Sequence, residues 1–188
     1  MPNRFEQPPT YIQAGDPEKE NANTLFYGGQ LGNRFTVKQP SGPGAPSGDD
    51  YQFKRYQYVK SDSTMTASPG KGDVAFWSDK TQYLVTTTAT NRGQVAGVFQ
   101  NDPAVAPITP GNYCCIQIGG RAITRVTDAS IGNASAVGGF VVGSATAGRG
   151  EVIAAGTAAT YPALGRCASA SIGGQTLVYV DLDVPETV

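Results

Sequence analysis

The chain has 188 residues, with 24 Gly, 13 Pro, 39% apolar and 15% charged residues and a formal charge of −1. That balance offers no broad electrostatic footprint for nucleic acid or an anionic membrane. No run reaches the ~18 apolar residues of a membrane span, and Met1-Pro2-Asn3-Arg4-Phe5-Glu6-Gln7-Pro8 lacks the apolar core of a secretory signal.

Two residue types narrow the chemistry further. There is no histidine, which removes Ser-His-Asp and Cys-His catalysis, His-bearing zinc sites and a histidine pH switch together. The three cysteines are odd in number and two are adjacent, which argues against a closed disulfide framework and for a reducing compartment.

Residues 1–50 read as an extended N-terminal arm. Eight of the thirteen prolines fall before residue 70, at Pro2, Pro8, Pro9, Pro17, Pro40, Pro43, Pro46 and Pro69. Proline fixes φ and removes a donor, so it resists both helix and central strand. Asp16-Pro17-Glu18-Lys19-Glu20 has the order of a short helical start. Gln39 to Asp50 has the composition of a linker. Apolar residues are spaced along the arm: Phe5, Tyr11, Ile12, Leu25, Phe26, Tyr27, Leu31, Phe35 and Val37. That spacing suits a strap laid over other subunits, each residue filling a shallow pocket. Burying such a side chain contributes roughly 1.5–3 kcal/mol. Fifty extended residues reach on the order of 160 Å.

Residues 51–188 read as one all-β domain, a small antiparallel β-barrel or sandwich. In Tyr51–Lys60, Tyr51 and Phe53 occupy one parity and Tyr56 and Tyr58 the other. This predicts a strand with a bulge or face switch near Arg55. A strand apolar on two faces needs two partners, and the second is expected to be another subunit. Further strands are predicted at about Val74–Ser78, Gln82–Thr88, Gly93–Gln100 and Asn112–Ile118. Arg121–Val126 alternates, Gly139–Gly143 and Gly150–Ala155 are short runs, and a last hairpin joins Tyr161–Ala168 to Gln175–Leu182. Apolar positions from Val74 onward follow period two, not 3.6. Val95-Ala96-Gly97-Val98 and Ala163-Leu164-Gly165-Arg166 each put glycine inside a strand, where it serves a bend or a close approach.

Candidate sites reduce mostly to packing. Cys114 and Cys115 face opposite sides of a strand and cannot converge on one metal. Cys114 joins Ile116 and Ile118, whereas Cys115 joins Tyr113 and Gln117. Gly70-Lys71-Gly72-Asp73 lacks the spacing of a phosphate loop. Asp181 and Asp183 share a face but sit at a strand end, where charge means solvent. Phe76, Trp77, Tyr83 and Phe99 serve a barrel core better than an aromatic binding platform. Asn133-Ala134-Ser135 matches a glycosylation acceptor without other signs of secretion.

The runs Gly72-Asp73-Val74-Ala75-Phe76-Trp77, Gly93-Gln94-Val95-Ala96-Gly97-Val98 and Gly111-Asn112-Tyr113-Cys114-Cys115-Ile116-Gln117-Ile118-Gly119-Gly120 share a pattern with the closing Ala163-Leu164-Gly165-Arg166-Cys167-Ala168 and Leu177-Val178-Tyr179-Val180-Asp181-Leu182. From Gly72 to Leu182 the chain resembles head decoration (cement) proteins of tailed bacteriophages. It departs from them in the roughly seventy residues that precede the block. The resemblance implies a small β-barrel and a homotrimer on the outer capsid surface of the virion. It implies binding to the major capsid protein, with no enzymatic activity, catalytic residue, cofactor or metal. No nucleic acid, membrane or small-molecule substrate is expected as a partner. The partner-binding residues expected are Phe5, Tyr11, Ile12, Leu25, Phe26, Tyr27, Leu31 and Phe35 of the arm, with Tyr51, Phe53, Tyr56 and Tyr58. Two other functions fit the same composition. One is a tail, collar or fibre protein. The other is a carbohydrate-binding module or glycan hydrolase domain, which requires an exposed aromatic row or an essential carboxylate.

Overall fold

A computed structural model describes residues 31–40, 51–65, 68–104, 107–127, 137–169, 172 and 176–184. Among them are ten β-strands, no α-helix and one 3-10 turn at Ala89–Asn91. The strands are β1 (Arg34–Pro40), β2 (Tyr51–Ser61), β3 (Val74–Asp79), β4 (Leu84–Thr86), β5 (Val95–Phe99), β6 (Tyr113–Arg125), β7 (Phe140–Gly143), β8 (Gly150–Ile153), β9 (Ala163–Cys167) and β10 (Leu177–Asp183). The all-β class expected from period-two patterning is what the chain adopts. The helical start at Asp16–Glu20, residues 41–50 and the Asn133-Ala134-Ser135 acceptor lie outside the described residues.

All ten strands belong to one sheet, ordered β1-β2-β4-β3-β5-β6-β10-β9-β7-β8, and a further β2–β6 pairing closes five of them into a ring. Around the ring, β2 meets β4 in parallel through only Lys60↔Leu84 and Ser61↔Val85. The other contacts, β4–β3, β3–β5, β5–β6 and β6–β2, are antiparallel. The expected strand at Gln82–Thr88 contracts to the three residues of β4; Tyr83 takes a positive φ, so the extended run starts only at Leu84.

β6 holds the architecture together. Its first part pairs with β2 and β5, and its second part pairs with β10 over Gly119–Arg125. Asn112–Ile118 and Arg121–Val126, separate runs in sequence, are thus one thirteen-residue strand. Gly119-Gly120 is a turn signal in most contexts, but here it is a bend within the strand. Gln117 is fully buried at that bend, and its Nε2 donates to the Gly119 carbonyl at 3.0 Å and the Arg121 carbonyl at 3.1 Å. Beyond the ring, β10, β9, β7 and β8 curl until Val126 bridges Gly150 and the Thr127 amide donates to the Gly150 carbonyl at 3.0 Å.

One apolar cluster fills both parts. Phe76, Val98, Phe99, Cys114 and Ile116 of the ring are continuous with Leu164, Val178 and Val180 of the outer strands, all fully buried. The two in-strand glycines allow close approach of neighbouring backbones. A β-carbon at Gly97 would stand 2.6 Å from the Gln117 carbonyl oxygen, and one at Gly165 would overlap that of Asp181.

The front of the chain differs from expectation. Residues 34–40, assigned by sequence to the arm, form β1 and pair with β2 along its first seven residues. Phe35 and Val37 alternate with Arg34, Thr36 and Lys38, a period-two run masked by the surrounding prolines. Pro40 is tolerated because it closes a strand at the edge of the sheet. The irregularity near Arg55 is also placed differently. Register against β6 shifts between Arg55↔Gly119 and Tyr56↔Gln117, so the additional residue, Ile118, belongs to β6. Against β1 the register of β2 is unbroken.

Candidate functional site

β1 and β2 form a ribbon that outruns the ring. β2 pairs with β6 only from Arg55 to Lys60, whereas it pairs with β1 from Tyr51 to Gln57. Residues 51–54 therefore have strand partners only in β1. Strand alternation then sorts the side chains. Arg34, Thr36, Lys38, Phe53 and Arg55 share one face through the partners Lys38↔Phe53 and Thr36↔Arg55, and all five are exposed. Phe53 is 61% exposed, and the only other exposed large apolar residue among those described is Val137.

The opposite face is a second apolar cluster, separate from the main core. Tyr56, Tyr58 and Cys115 are buried in it, with Leu31, Phe35, Val37 and Tyr113 packed against them. Phe35 stacks on Tyr56 with centroids 5.8 Å apart, and Tyr58 stacks on Tyr113 at 6.0 Å. Lys60 Nζ lies 5.5 Å above the Tyr113 ring. On its Tyr56 and Tyr58 side the two-faced strand is packed within the chain by Leu31, Phe35, Val37 and Tyr113, whereas its Phe53 side stays exposed. Two arm residues expected to bind a partner, Leu31 and Phe35, pack on their own domain. Phe53 stays open, and Tyr51 is placed by its backbone at the start of β2. Phe5, Tyr11, Ile12, Leu25, Phe26 and Tyr27 lie outside the described residues.

The exposed face continues from the ribbon across β6, β10, β9 and β7. Arg55 crosses Gly119 to Asp183, with Nη2 donating to Oδ1 at 3.3 Å. On the next row Arg121 grips Asp181 in a two-point contact, Nε to Oδ1 at 2.8 Å and Nη2 to Oδ2 at 3.0 Å. Asp181 raises the Arg121 pKa through this hydrogen bond. Arg166, opposite Asp181, lies 4.4 Å above the Phe140 ring and donates to the Gly138 carbonyl at 3.0 Å. Asp181 and Asp183 do share an exposed face, yet each is engaged by an arginine, so the two do not converge as an acid–base pair.

The remaining sequence candidates are structural. Phe76, Trp77 and Phe99 are buried, and Tyr83 is half-buried against them. Cys114 and Cys115 part to opposite faces as expected, one in each apolar cluster. Burial pushes the Cys114 thiol up to about 12, far from the thiolate that reactivity needs. In Gly70-Lys71-Gly72-Asp73 the Lys71 carbonyl accepts from Arg125 Nε at 3.0 Å, and Asp73 accepts from the Gly70 amide at 2.6 Å. The loop's Lys71 carbonyl thus serves Arg125, and its Asp73 closes the turn onto Gly70. Among the described residues no three His, Cys, Asp or Glu side chains gather as metal ligands, and no helix is long and apolar enough to cross a membrane. The exposed ribbon face was only partly legible from sequence: Phe53 could be named, but its cationic neighbours required the β1–β2 register.

No protein-family model matches the chain, and no curated protein matches it in sequence.

Proposed function

We propose that this chain is a structural virion protein, a capsid decoration protein that binds the outer surface of the major capsid protein shell as a homotrimer and stabilises it. The observation that carries this reading is the ribbon face. An exposed phenylalanine stands on the paired β1–β2 backbone, opposite Lys38 and two residues from Arg55 on the same face, with Arg34 further along that face. Binding energy concentrates at such an aromatic and arginine group when a partner desolvates it. The resemblance supplies the identity of the partner, and the runs that carry it lie in β3, β5, β6, β9 and β10. Residues 1–30 act as a strap over neighbouring capsid or decoration subunits.

The test is a shell-binding assay. Purified protein should sediment with empty capsid shells, raise their melting temperature and occupy threefold positions. Light scattering should report a trimer in solution or on the shell. Protein that leaves shells undecorated and instead sediments with tails or fibres would place it elsewhere in the virion. Retention on a glycan array would favour a carbohydrate-binding module.

A further inference from the structure

Tyr83 is the only non-glycine with a positive φ, 53°, among the described residues. Bulky side chains rarely adopt that conformation, and it persists only where surrounding contacts enforce it. The turn before it is built for the purpose. Asp79 Oδ1 accepts from the Thr81 hydroxyl at 2.7 Å, the Thr81 amide at 2.9 Å and the Gln82 amide at 3.3 Å, and Oδ2 accepts from Gln82 Nε2 at 3.0 Å.

The result is a ring with a role on each side. Trp77 of the main core meets it edge-on at 6.2 Å. Gly32 lies against its other side, with φ of 85° and no room for a side chain, because a β-carbon there would overlap the phenol ring. The neighbouring backbone is pinned to the same edge of β2. The Gly32 amide donates to the Tyr58 carbonyl at 2.8 Å, the Tyr58 amide donates to Asn33 at 2.9 Å and the Lys60 amide donates to Tyr83 at 3.0 Å. Gln57 Nε2 also donates to the Gly32 carbonyl at 3.3 Å.

We propose that Tyr83 is a positioning residue: its ring seats the Leu31–Asn33 joint against the main core and so fixes the point at which the strap of the proposed function is anchored. The seat deepens the decoration reading, because a strap grips a partner only if its root is fixed. Its geometry does not depend on that reading.

Amide hydrogen exchange on the full chain tests it, with Tyr83→Ala, Gly32→Ala and Tyr83→Phe. The first two should speed exchange at the Gly32 and Tyr58 amides at least tenfold. The Phe99 amide, which donates to the Asp73 carbonyl in the ring region, should change less than threefold. Tyr83→Phe keeps the ring and should match wild type throughout. Unchanged Gly32 and Tyr58 protection in both disruptive variants would overturn the seat. So would equal loss at Phe99, which would make Tyr83 an ordinary core residue. Shell binding is measured beside exchange. If exchange responds as expected and wild type binds shells, Tyr83→Ala should weaken shell binding at least tenfold, and unchanged affinity would overturn the seat's hold on the strap. If exchange responds but wild type does not bind shells, the seat stands and the decoration reading falls.

Discussion

The ring with its outer strands and the β1 face are built from the same sheet but are secured differently. The ring closes on itself, and its core is continuous with that of β7 to β10. A perturbation anywhere in that core is shared by most of the molecule. β1 is attached by one ladder to β2 and by a separate tyrosine cluster on the outer side. Closure removes edges, whereas β1 remains an edge strand. Cooperative stability therefore belongs to the ring, and local opening belongs to β1. A region that adapts to a partner is drawn from the second kind.

The largest expected effect separates the two regions. Phe76→Ala empties a fully buried site in the main core and should cost about 3–5 kcal/mol, lowering the single unfolding transition as a whole. Phe35→Ala removes the ring stacked on Tyr56 and should cost only about 1 kcal/mol. Its effect should concentrate at the Tyr58 amide. Calorimetry combined with residue-resolved exchange reads both. Comparable global losses would mean that β1 is part of the cooperative core.

The glycine approach inside the main core comes next. Gly165→Ala sets a methyl against the Asp181 carbonyl between β9 and β10. Backbone cannot yield as a side-chain tip does, so the cost should be about 1–3 kcal/mol. Denaturant unfolding checks this, and an unchanged midpoint would show that β9 can shift without disturbing the ring.

Much of this architecture was legible in the residues. The period-two runs from Val74 to Leu182 are strands, and the opposed fates of Cys114 and Cys115 follow from alternation alone. Other features depend on contacts that no local pattern encodes. Closure needs the long-range β2–β6 pairing and, at its shortest joint, two parallel residue pairs between β2 and β4. Continuity of β6 runs through a Gly-Gly that elsewhere marks a turn. β1 was hidden by the prolines around it. The exposed face was named at Phe53, but which cations border it depends on the β1–β2 register. Tyr83 gave no signal, since tyrosine is not a residue of the left-handed region.

A smaller effect on stability tests the surface. Phe53→Ser alters an exposed side chain and should leave unfolding within about 0.5 kcal/mol of wild type. If Phe53 fills a pocket on the shell, losing it should remove roughly 1.5–3 kcal/mol of binding, or about ten- to a hundredfold in affinity. Sedimentation with shells at fixed protein concentration measures this. Unchanged affinity would take the ribbon face out of the contact.

The smallest effect is one of pH, and it has opposite signs in the two regions. Asp79, beneath the Tyr83 turn, has its pKa lowered, first by the Thr81 hydroxyl and also by the Thr81 and Gln82 amides and the Gln82 side chain. A depressed folded pKa means stability that is present above the unfolded value near 4 and lost as pH falls through the folded value. Asp73 lies where β3 begins, and burial raises its pKa against the opposing Gly70 amide and the charges of Arg125 and Arg149. A raised carboxyl pKa works the other way: its contribution is full below the unfolded value and is lost as pH rises through the folded one. Acidification from pH 6 to pH 3 should therefore weaken the turn under the joint while relieving the buried carboxylate beside the ring. Exchange at Tyr58, corrected for intrinsic rate, should lose protection before exchange at Phe99. Asp79→Asn should flatten the Tyr58 response, and Asp73→Asn should leave it in place. Simultaneous loss at both amides would mean that the joint and the ring open as one unit, and the distinction between them would collapse.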